Sequence, residues 1–271
     1  MHSIDSIQSV AADYDTLVFD QWGVLHNGSA PYPDSVETIR ALRASGGNMA
    51  VLSNSGKAAD VNAARITDMG FDADAFDVVM TSGEALYRDF AGGALAAFTR
   101  IFAITGAKGD AARWARGLPI TFVDDVALAD AVLLMGLPED QDHSAAKAAL
   151  ARALELAKPL LCSNPDRASP RADGVTVQSP GALAHDYKDA GGDVTFYGKP
   201  HYPIFAATFD LIKATEPGRV LMIGDSPEHD IAGAQTAGWD SLFIHGGLHA
   251  GHEHDLFQGT ALPTYSLPHL R

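Results

Sequence analysis

The sequence predicts an α/β protein: a Rossmann-like, doubly wound parallel-sheet core that carries an inserted α/β domain. Three observations predict it. Short apolar runs alternate with segments of helical spacing. Several of the runs stop abruptly on a carboxylate, hydroxyl or ammonium side chain. The alternation also breaks in the middle of the chain and then resumes.

The elements follow in order. The apolar run Thr16-Leu17-Val18-Phe19 ends on Asp20, and Gly23 follows, so a buried strand is expected with a carboxylate at its C-terminal end. Pro33 to Arg43 has Val36, Ile39 and Leu42 on one helical face and is stopped by Ser45-Gly46-Gly47. Asn48 to Asn54 repeats the strand device and ends on Ser53-Asn54. Lys57 to Met69 reads as a helix closed by Gly70, Phe76 to Gly83 as a third strand, and Glu84 to about Leu95 as a third helix. The middle is organised differently. Arg100–Ile104, Ile120–Val123, Ala131–Met135 and Pro159–Cys162 are strand candidates, with an Ala-rich helix over Asp142 to Ala157. The alternation then resumes with a strand at Thr195 to Pro200, a helix at Tyr202 to Ala214, and a strand from Arg219 to Gly224 ending on Asp225. A helix from Glu228 to Ala237 and a last core strand, Trp239–Ile244, complete it. The expected domains are a core over 1–83 with 195–271 and an insert over 84–194.

Composition bounds the function. The chain has 271 residues, 46% of them hydrophobic, enough to bury a sizeable core. No run approaches the roughly 18 apolar residues of a membrane span, and the start of the chain lacks the features of a signal peptide. A net charge of -15 disfavours nucleic acid and anionic membrane as partners. The single cysteine, Cys162, fits a reducing cytoplasm.

Four predicted strand ends deliver Asp20, Ser53, Lys199 and Asp225, with Asp230 a short way beyond. Such ends share one edge of a parallel sheet, where open α/β folds bind ligands. Asp20 is a potential nucleophile. Ser53 and Asn54 can donate hydrogen bonds to anionic oxygens, and Lys199 can neutralise developing charge. Asp225 with Asp20 can hold a hard cation through oxygen ligands.

The order Asp20-x-x-Gly23-Val24, Leu52-Ser53-Asn54, Gly198-Lys199-Pro200 and Gly224-Asp225 with Asp230 resembles the haloacid dehalogenase (HAD) superfamily of hydrolases. The insert, together with the Ser-Asn and Gly-Lys-Pro forms, looks like its class IIA, sugar-phosphatase-like branch, and Ser163-Asn164-Pro165-Asp166 looks like a cap motif of that branch. The resemblance implies a Mg²⁺-dependent hydrolase of a small phosphorylated metabolite that forms an aspartyl-phosphate on Asp20. Ser53 and Lys199 would act on the phosphoryl group. Asp20, the Trp22 backbone carbonyl and Asp225 would hold the metal, with Asp230 as a ligand or behind one. Asn54, Asn164, Asp166 and Arg167 are the expected substrate-binding residues, although an ordinary surface role for Arg167 is an equal alternative. The insert is expected to act as a cap that sets substrate choice, and a homodimer is an open alternative for assembly.

One residue departs from that family's pattern. Most of its phosphatases carry a second Asp two residues after the nucleophile, as acid and base; here the position is Trp22, whose indole N–H does not titrate usefully. Loss of such a group typically costs about 10²–10⁴ in rate. Three readings stay open: a substitute acid such as His26 or His201, a substrate with a good leaving group such as an acyl phosphate, or a phosphate-ligand-binding or regulatory protein with little turnover. Dehalogenase-like attack of Asp20 on carbon is a further alternative, disfavoured by Asp225 and Asp230 because carbon displacement needs no metal. His26 and His201 are each expected first as solvated loop residues. Lys57 is expected at a helix start, where it is at least as much a solvated lysine as a phosphate ligand. Cys162 reads as a small buried hydrophobe, Glu84 as a helix-start carboxylate, and the His-rich run from His245 to His254 as an exposed loop rather than a zinc site.

Overall fold

A computed structural model describes residues 1–138, 143–170, 176–246, 257 and 261–271. The chain forms two compact units. The first comprises Met1–Ser53, Ala59–Met80 and Lys199–Arg271; the second comprises Asn54–Ala58 and Thr81–Gly198. The expected insert bounds of 84–194 compare with these.

The first unit is built on a seven-stranded sheet. Its strands lie in the order His2–Ser3, Tyr265–Leu267, Asp240–Ile244, Val220–Gly224, Thr16–Phe19, Asn48–Ser53, Val78–Thr81. Thr16–Phe19 pairs in parallel with Val220–Gly224 on one side and Asn48–Ser53 on the other. Every residue of Thr16–Phe19 and Val220–Gly224 is buried, which explains their continuous apolar runs: a parallel strand covered on both faces has no solvent side to alternate toward. Leu17, Phe19, Met49, Val51, Leu221, Ile223 and Leu242 lie in one apolar core with Ile39 and Leu42 of the helix Ser35–Ala44. Each such side chain stabilises the fold by about 1.5–3 kcal/mol relative to exposure.

Asp240–Ile244 is not the last strand of this sheet. Tyr265–Leu267 and His2–Ser3 extend it beyond that point through parallel pairing. Strands this short carry too few residues to show a period. The helix expected from Glu228 to Ala237 is also divided. Pro227–Ile231 is a π-type turn, and a regular helix spans only Ala232–Ala237. The wide turn arises because the N–H groups of both Asp230 and Ile231 donate to the Ser226 carbonyl. Single π-turns of this kind often mark functional positions.

The second unit holds a five-stranded sheet, in the order Val194–Phe196, Leu160–Cys162, Ala131–Leu134, Arg100–Ile104, Thr121–Phe122, together with the antiparallel hairpin Ala168–Pro170/Thr176–Gln178. The strand expected at Thr195 to Pro200 belongs here and not in the core sheet. Phe196 lies opposite Cys162 and packs into the second core beside Val132 and Leu134. A three-residue apolar run fits either sheet, so the chain pattern does not reveal which one it joins. Thr81 caps the helix Ser82–Ala91 by accepting the Glu84 N–H at 2.9 Å, and Glu84 sits in its first turn as expected. Among the described residues no helix is long and apolar enough to cross a membrane.

Candidate active site

The register of the first sheet gathers the polar residues. Phe19 lies opposite Ile223 and Val51 in its two neighbours. Asp20, Asp225 and Ser53 therefore leave adjacent parallel strands at one edge. All three are buried.

Lys199 reaches the same edge by another route. It sits in a turn beyond the second unit's Val194–Phe196 strand, before a cis Pro200, and not at a core strand end. Its Nζ donates to Asp20 Oδ1 at 2.7 Å and to Asp230 Oδ1 at 2.7 Å. The side chains are almost fully enclosed, at 3% exposure for Lys199 and 0% for Asp230. Burial opposes the Lys199 charge, but Asp20 and Asp230 outweigh it and hold the ammonium above its ordinary pKa. Burial pushes the Asp20 carboxyl well above the usual carboxylate range; Lys199 pulls it down, and Asp230 and Asp225 push it up again. Asp230 Oδ2 also accepts the Ser226 N–H at 3.0 Å, so Lys199 on one oxygen and the start of the π-type turn on the other fix this carboxylate.

Two glycines let the loops approach these acids. Gly23 has φ +87°, and a Cβ there would come within 2.1 Å of Asp225 Oδ2. A Cβ on Gly224 would meet the Asp230 Cβ at 2.2 Å. The two Gly–Asp spacings of the sequence are thus close-packing requirements.

Trp22 is half-buried and held by its own loop. Its six-membered ring lies over Gly28 (φ +94°), where a Cβ would meet it at 2.2 Å. The Arg65 guanidinium stands 5.0 Å over the indole and donates to the Gly28 carbonyl at 2.8 Å. The His26 ring packs edge-on, with centroids 5.4 Å apart. His26 is not the solvated residue expected. It is 0% exposed, and its Nδ1 accepts the Gly28 N–H at 2.9 Å. Burial first, and then Arg65, lower its pKa to about 4. It is a neutral imidazole that props the loop, and its Nε2 has no partner among the described residues. His201 is partly exposed and stands just before the helix Tyr202–Phe209.

The remaining expected residues belong to the second unit. Asn54 Nδ2 donates to Asp166 Oδ1 at 2.7 Å, and the Asp166 N–H donates to Asn164 Oδ1 at 3.1 Å. These three therefore form one connected polar group. Arg167 is exposed beside it, as is Lys57 ahead of its helix. Cys162 is buried, donates to the Asn164 carbonyl at 3.1 Å, and has its thiol pushed up to about 12 by burial, which suits a structural role. His249, His252 and His254 lie outside the described residues; His245 follows the strand Asp240–Ile244. Sequence reasoning missed Arg65 and Gly28. Neither has a local signal, because their roles exist only through Trp22.

Asp20, Asp225 and Asp230 offer carboxylate oxygens that all lie within 4.8 Å of one another. With one ammonium beside three carboxylates, the cluster carries an excess of negative charge when ionised. Hard oxygen donors and net negative charge fit a divalent cation such as Mg²⁺.

The chain is similar to known proteins over most of its length. Residues 17–111 match the sequence family described as haloacid dehalogenase-like hydrolase, and residues 196–271 match a second, HAD-hydrolase-like family. D-glycerol 3-phosphate phosphatase of Mycobacterium tuberculosis is 27% identical over 262 residues, covering 96% of this chain and 70% of that protein. Over the curated relatives it matches, the chain spans from 13% to 70% of their length. The crystal structure of a haloacid dehalogenase-like hydrolase from Brucella suis superposes with a TM-score of 0.84 at 29% identity, covering 99% of this chain and 100% of that one. A glycerol phosphate phosphatase from Mycobacterium tuberculosis, solved with magnesium, shares the fold with a TM-score of 0.77 at 23% identity, covering 100% of this chain and 78% of that one.

Proposed function

This chain belongs to the haloacid dehalogenase-like hydrolases, in their sugar-phosphatase-like branch, and on that footing we propose that it hydrolyses a small phosphate ester, with Mg²⁺, through an aspartyl-phosphate on Asp20. The observation that carries this reading is the buried Lys199 bridge between Asp20 and Asp230, with Asp225 in the same acidic group. A lysine held charged against a nucleophilic carboxylate lowers that carboxylate's proton affinity and orients one oxygen. The other oxygen is left to attack phosphorus. Lys199 also remains in place to balance the charge of the phosphoryl oxygens. Ser53, at the adjacent strand end, donates to those oxygens. Mg²⁺, when held by Asp20, Asp225 and the Trp22 carbonyl, supplies further charge neutralisation. Asp230 serves mainly to fix Lys199.

The named activity of the mycobacterial relative supports a small phosphorylated metabolite as substrate. Within the second unit, the linked Asn54, Asp166 and Asn164 side chains, with Arg167, are the candidate substrate-binding residues. The single buried cysteine makes no demand for an oxidising compartment, and we place the protein in the cytoplasm.

The test is a phosphatase screen of wild type beside Asp20→Asn, with and without Mg²⁺. Turnover that needs both Asp20 and the metal is expected. Turnover that persists in Asp20→Asn, or without divalent metal, refutes the mechanism. The clamped Trp22 favours a second reading, a phosphate-ligand-binding protein with little turnover. A silent wild type that still binds phosphate with Mg²⁺ would establish that reading.

A further inference from the structure

The Trp22 carbonyl, proposed above as a metal ligand, belongs to a peptide whose orientation its own loop sets. The Gly23 N–H donates to the His26 carbonyl at 3.1 Å. A trans peptide points its carbonyl opposite to its N–H, so the Trp22 carbonyl faces away from the His26 side of the loop. Gly23 lies so close to Asp225 that a Cβ on it would come within 2.1 Å of Oδ2. The peptide therefore lies against the acidic group with its oxygen turned out of the loop. On the other side of Trp22, the Gln21 carbonyl accepts the N–H groups of Leu25 and His26 at 3.1 and 3.2 Å. What remains to be held is the Trp22 Cα, about whose torsions the peptide would swing, and the side chain holds it.

The six-membered ring of the indole packs against Gly28, which is itself fixed by donating its N–H to His26 Nδ1 at 2.9 Å. Arg65 stands 5.0 Å over the indole, and its Nη2 donates to the Gly28 carbonyl at 2.8 Å. The guanidinium thus ties the ring to the residue it packs against. A planar fork can do both at once, stacking by its face and donating from its edge. Arg65 comes from the helix Ala59–Asp68, which buries Asn62 and Ile66 and so presents the side chain from a fixed element. It offers no oxygen to a cation and carries the wrong charge to bind one.

We infer that Arg65 is a positioning residue for the metal site: by holding the indole it holds the Trp22 carbonyl in register with Asp20 and Asp225, so Mg²⁺ affinity depends on a cationic side chain from a separate helix. The inference rests on the reading above, in which those three groups hold Mg²⁺. It also gives the tryptophan a task that a small side chain cannot perform, since its ring is the handle by which the helix fixes the backbone.

The sign of the effect separates positioning from charge. Removing a positive charge near a cation site strengthens cation binding by Coulomb's law alone, whereas loss of a positioning residue weakens it. The experiment measures the Mg²⁺ affinity of the folded protein by isothermal titration calorimetry for wild type, Arg65→Met, Arg65→Lys, Asp225→Asn and Arg40→Met. The last removes a half-exposed arginine that pairs with Asp72 at 2.9 Å elsewhere in the first unit. Arg65→Met should bind Mg²⁺ about 10–100-fold more weakly, the usual effect of losing a partner that orients a metal ligand. Arg65→Lys, which keeps the charge without the planar fork, should fall in between, and Arg40→Met should match wild type. An arginine that merely supports the fold would lower the urea midpoint measured in EDTA and leave the Mg²⁺ affinity of the folded protein unchanged. Arg65→Met within about twofold of wild type, or tighter, while Asp225→Asn loses the metal, overturns the inference and leaves the metal reading standing. Mg²⁺ bound equally by Asp225→Asn and wild type, or no binding by wild type, overturns both. Where Arg65→Met does not fold, Arg65→Lys decides by the same criterion.

Discussion

Replacing Lys199 with Met tests the charge balance on which the site depends. In the wild type the ammonium is shared between Asp20 Oδ1 and Asp230 Oδ1, each at 2.7 Å, with side-chain exposures of 3% for the lysine and 12% and 0% for the acids. The methionine fills similar space without the charge. It leaves two enclosed carboxylates and the neighbouring Asp225 facing one another. Breaking a buried pair by removing one partner costs about 3–5 kcal/mol, because the remaining charge is uncompensated. The penalty should depend on pH with a definite sign. Without Lys199 the buried Asp20 carboxyl, already held above the usual range, loses the charge that pulls it down and binds its proton more tightly in the folded protein than in the unfolded chain, so stability falls as pH rises above the unfolded carboxylate pKa. The deficit is larger at pH 8 than at pH 5. A second substitution separates charge from packing. Lys199→Met with Asp230→Asn should be less destabilised than the sum of the single variants, with a coupling of about 0.5–3 kcal/mol. Urea unfolding in EDTA at both pH values provides the measurement. A Lys199→Met variant within about 1 kcal/mol of wild type, or a cycle that is additive, would refute the account of the bridge.

Further outcomes follow from other parts of the structure. Gly23→Ala places a methyl 2.1 Å from Asp225 Oδ2 at φ +87°; Mg²⁺ affinity measured by calorimetry should fall, with a backbone cost of about 1–2 kcal/mol, and unchanged affinity would show that Asp225 is not a ligand. Asp15 is lowered to about 2, first by the Arg219 side-chain hydrogen bond and then by Thr215. Its contribution to stability is complete above the unfolded pKa and is lost as pH falls toward 2, so Asp15→Asn should flatten the acid limb of an unfolding curve measured from pH 5 to pH 2. Cys162, buried with its thiol at about 12, should resist iodoacetamide in the native protein at pH 8 and react on denaturation, as followed by mass spectrometry.

The sequence made some features plain and hid others for physical reasons. Asp20, Ser53 and Asp225 were legible because a strand buried on both faces must be apolar throughout, so a polar residue at its end stands out. Lys199 was legible by residue type and misassigned by element: the apolar run before it, Val194–Phe196, pairs in the second sheet. The pairing of Lys199 with Asp230 was hidden, since it depends on a π-type turn whose two N–H groups share the Ser226 carbonyl. The loop around Trp22 was hidden too. A histidine after the motif looks solvated in a list of residues, yet His26 has no exposed surface, with the Trp22 ring edge-on against it and the Gly28 N–H on its Nδ1. The edge strands His2–Ser3 and Tyr265–Leu267 were too short to show a pattern.

The fit of Trp22 against Gly28 also limits how this protein can change. An indole seated on a glycine that tolerates no Cβ, under an arginine that also bonds to that glycine, is a set of three residues matched to one another. Exchanging the tryptophan alone for a small acid strips Arg65 of its stacking partner and empties the space over Gly28. Truncating a large buried aromatic costs about 3–5 kcal/mol, and a half-exposed one loses part of that. The step toward a residue that could carry a proton therefore gains an acid/base group and loses folding stability. Compensation must come from the neighbours, so a variant that refills the space beside residue 22 should accept the acid more readily than the natural loop does. In evolutionary terms Trp22 is entrenched: its surroundings oppose its replacement independently of any selection on the chemistry.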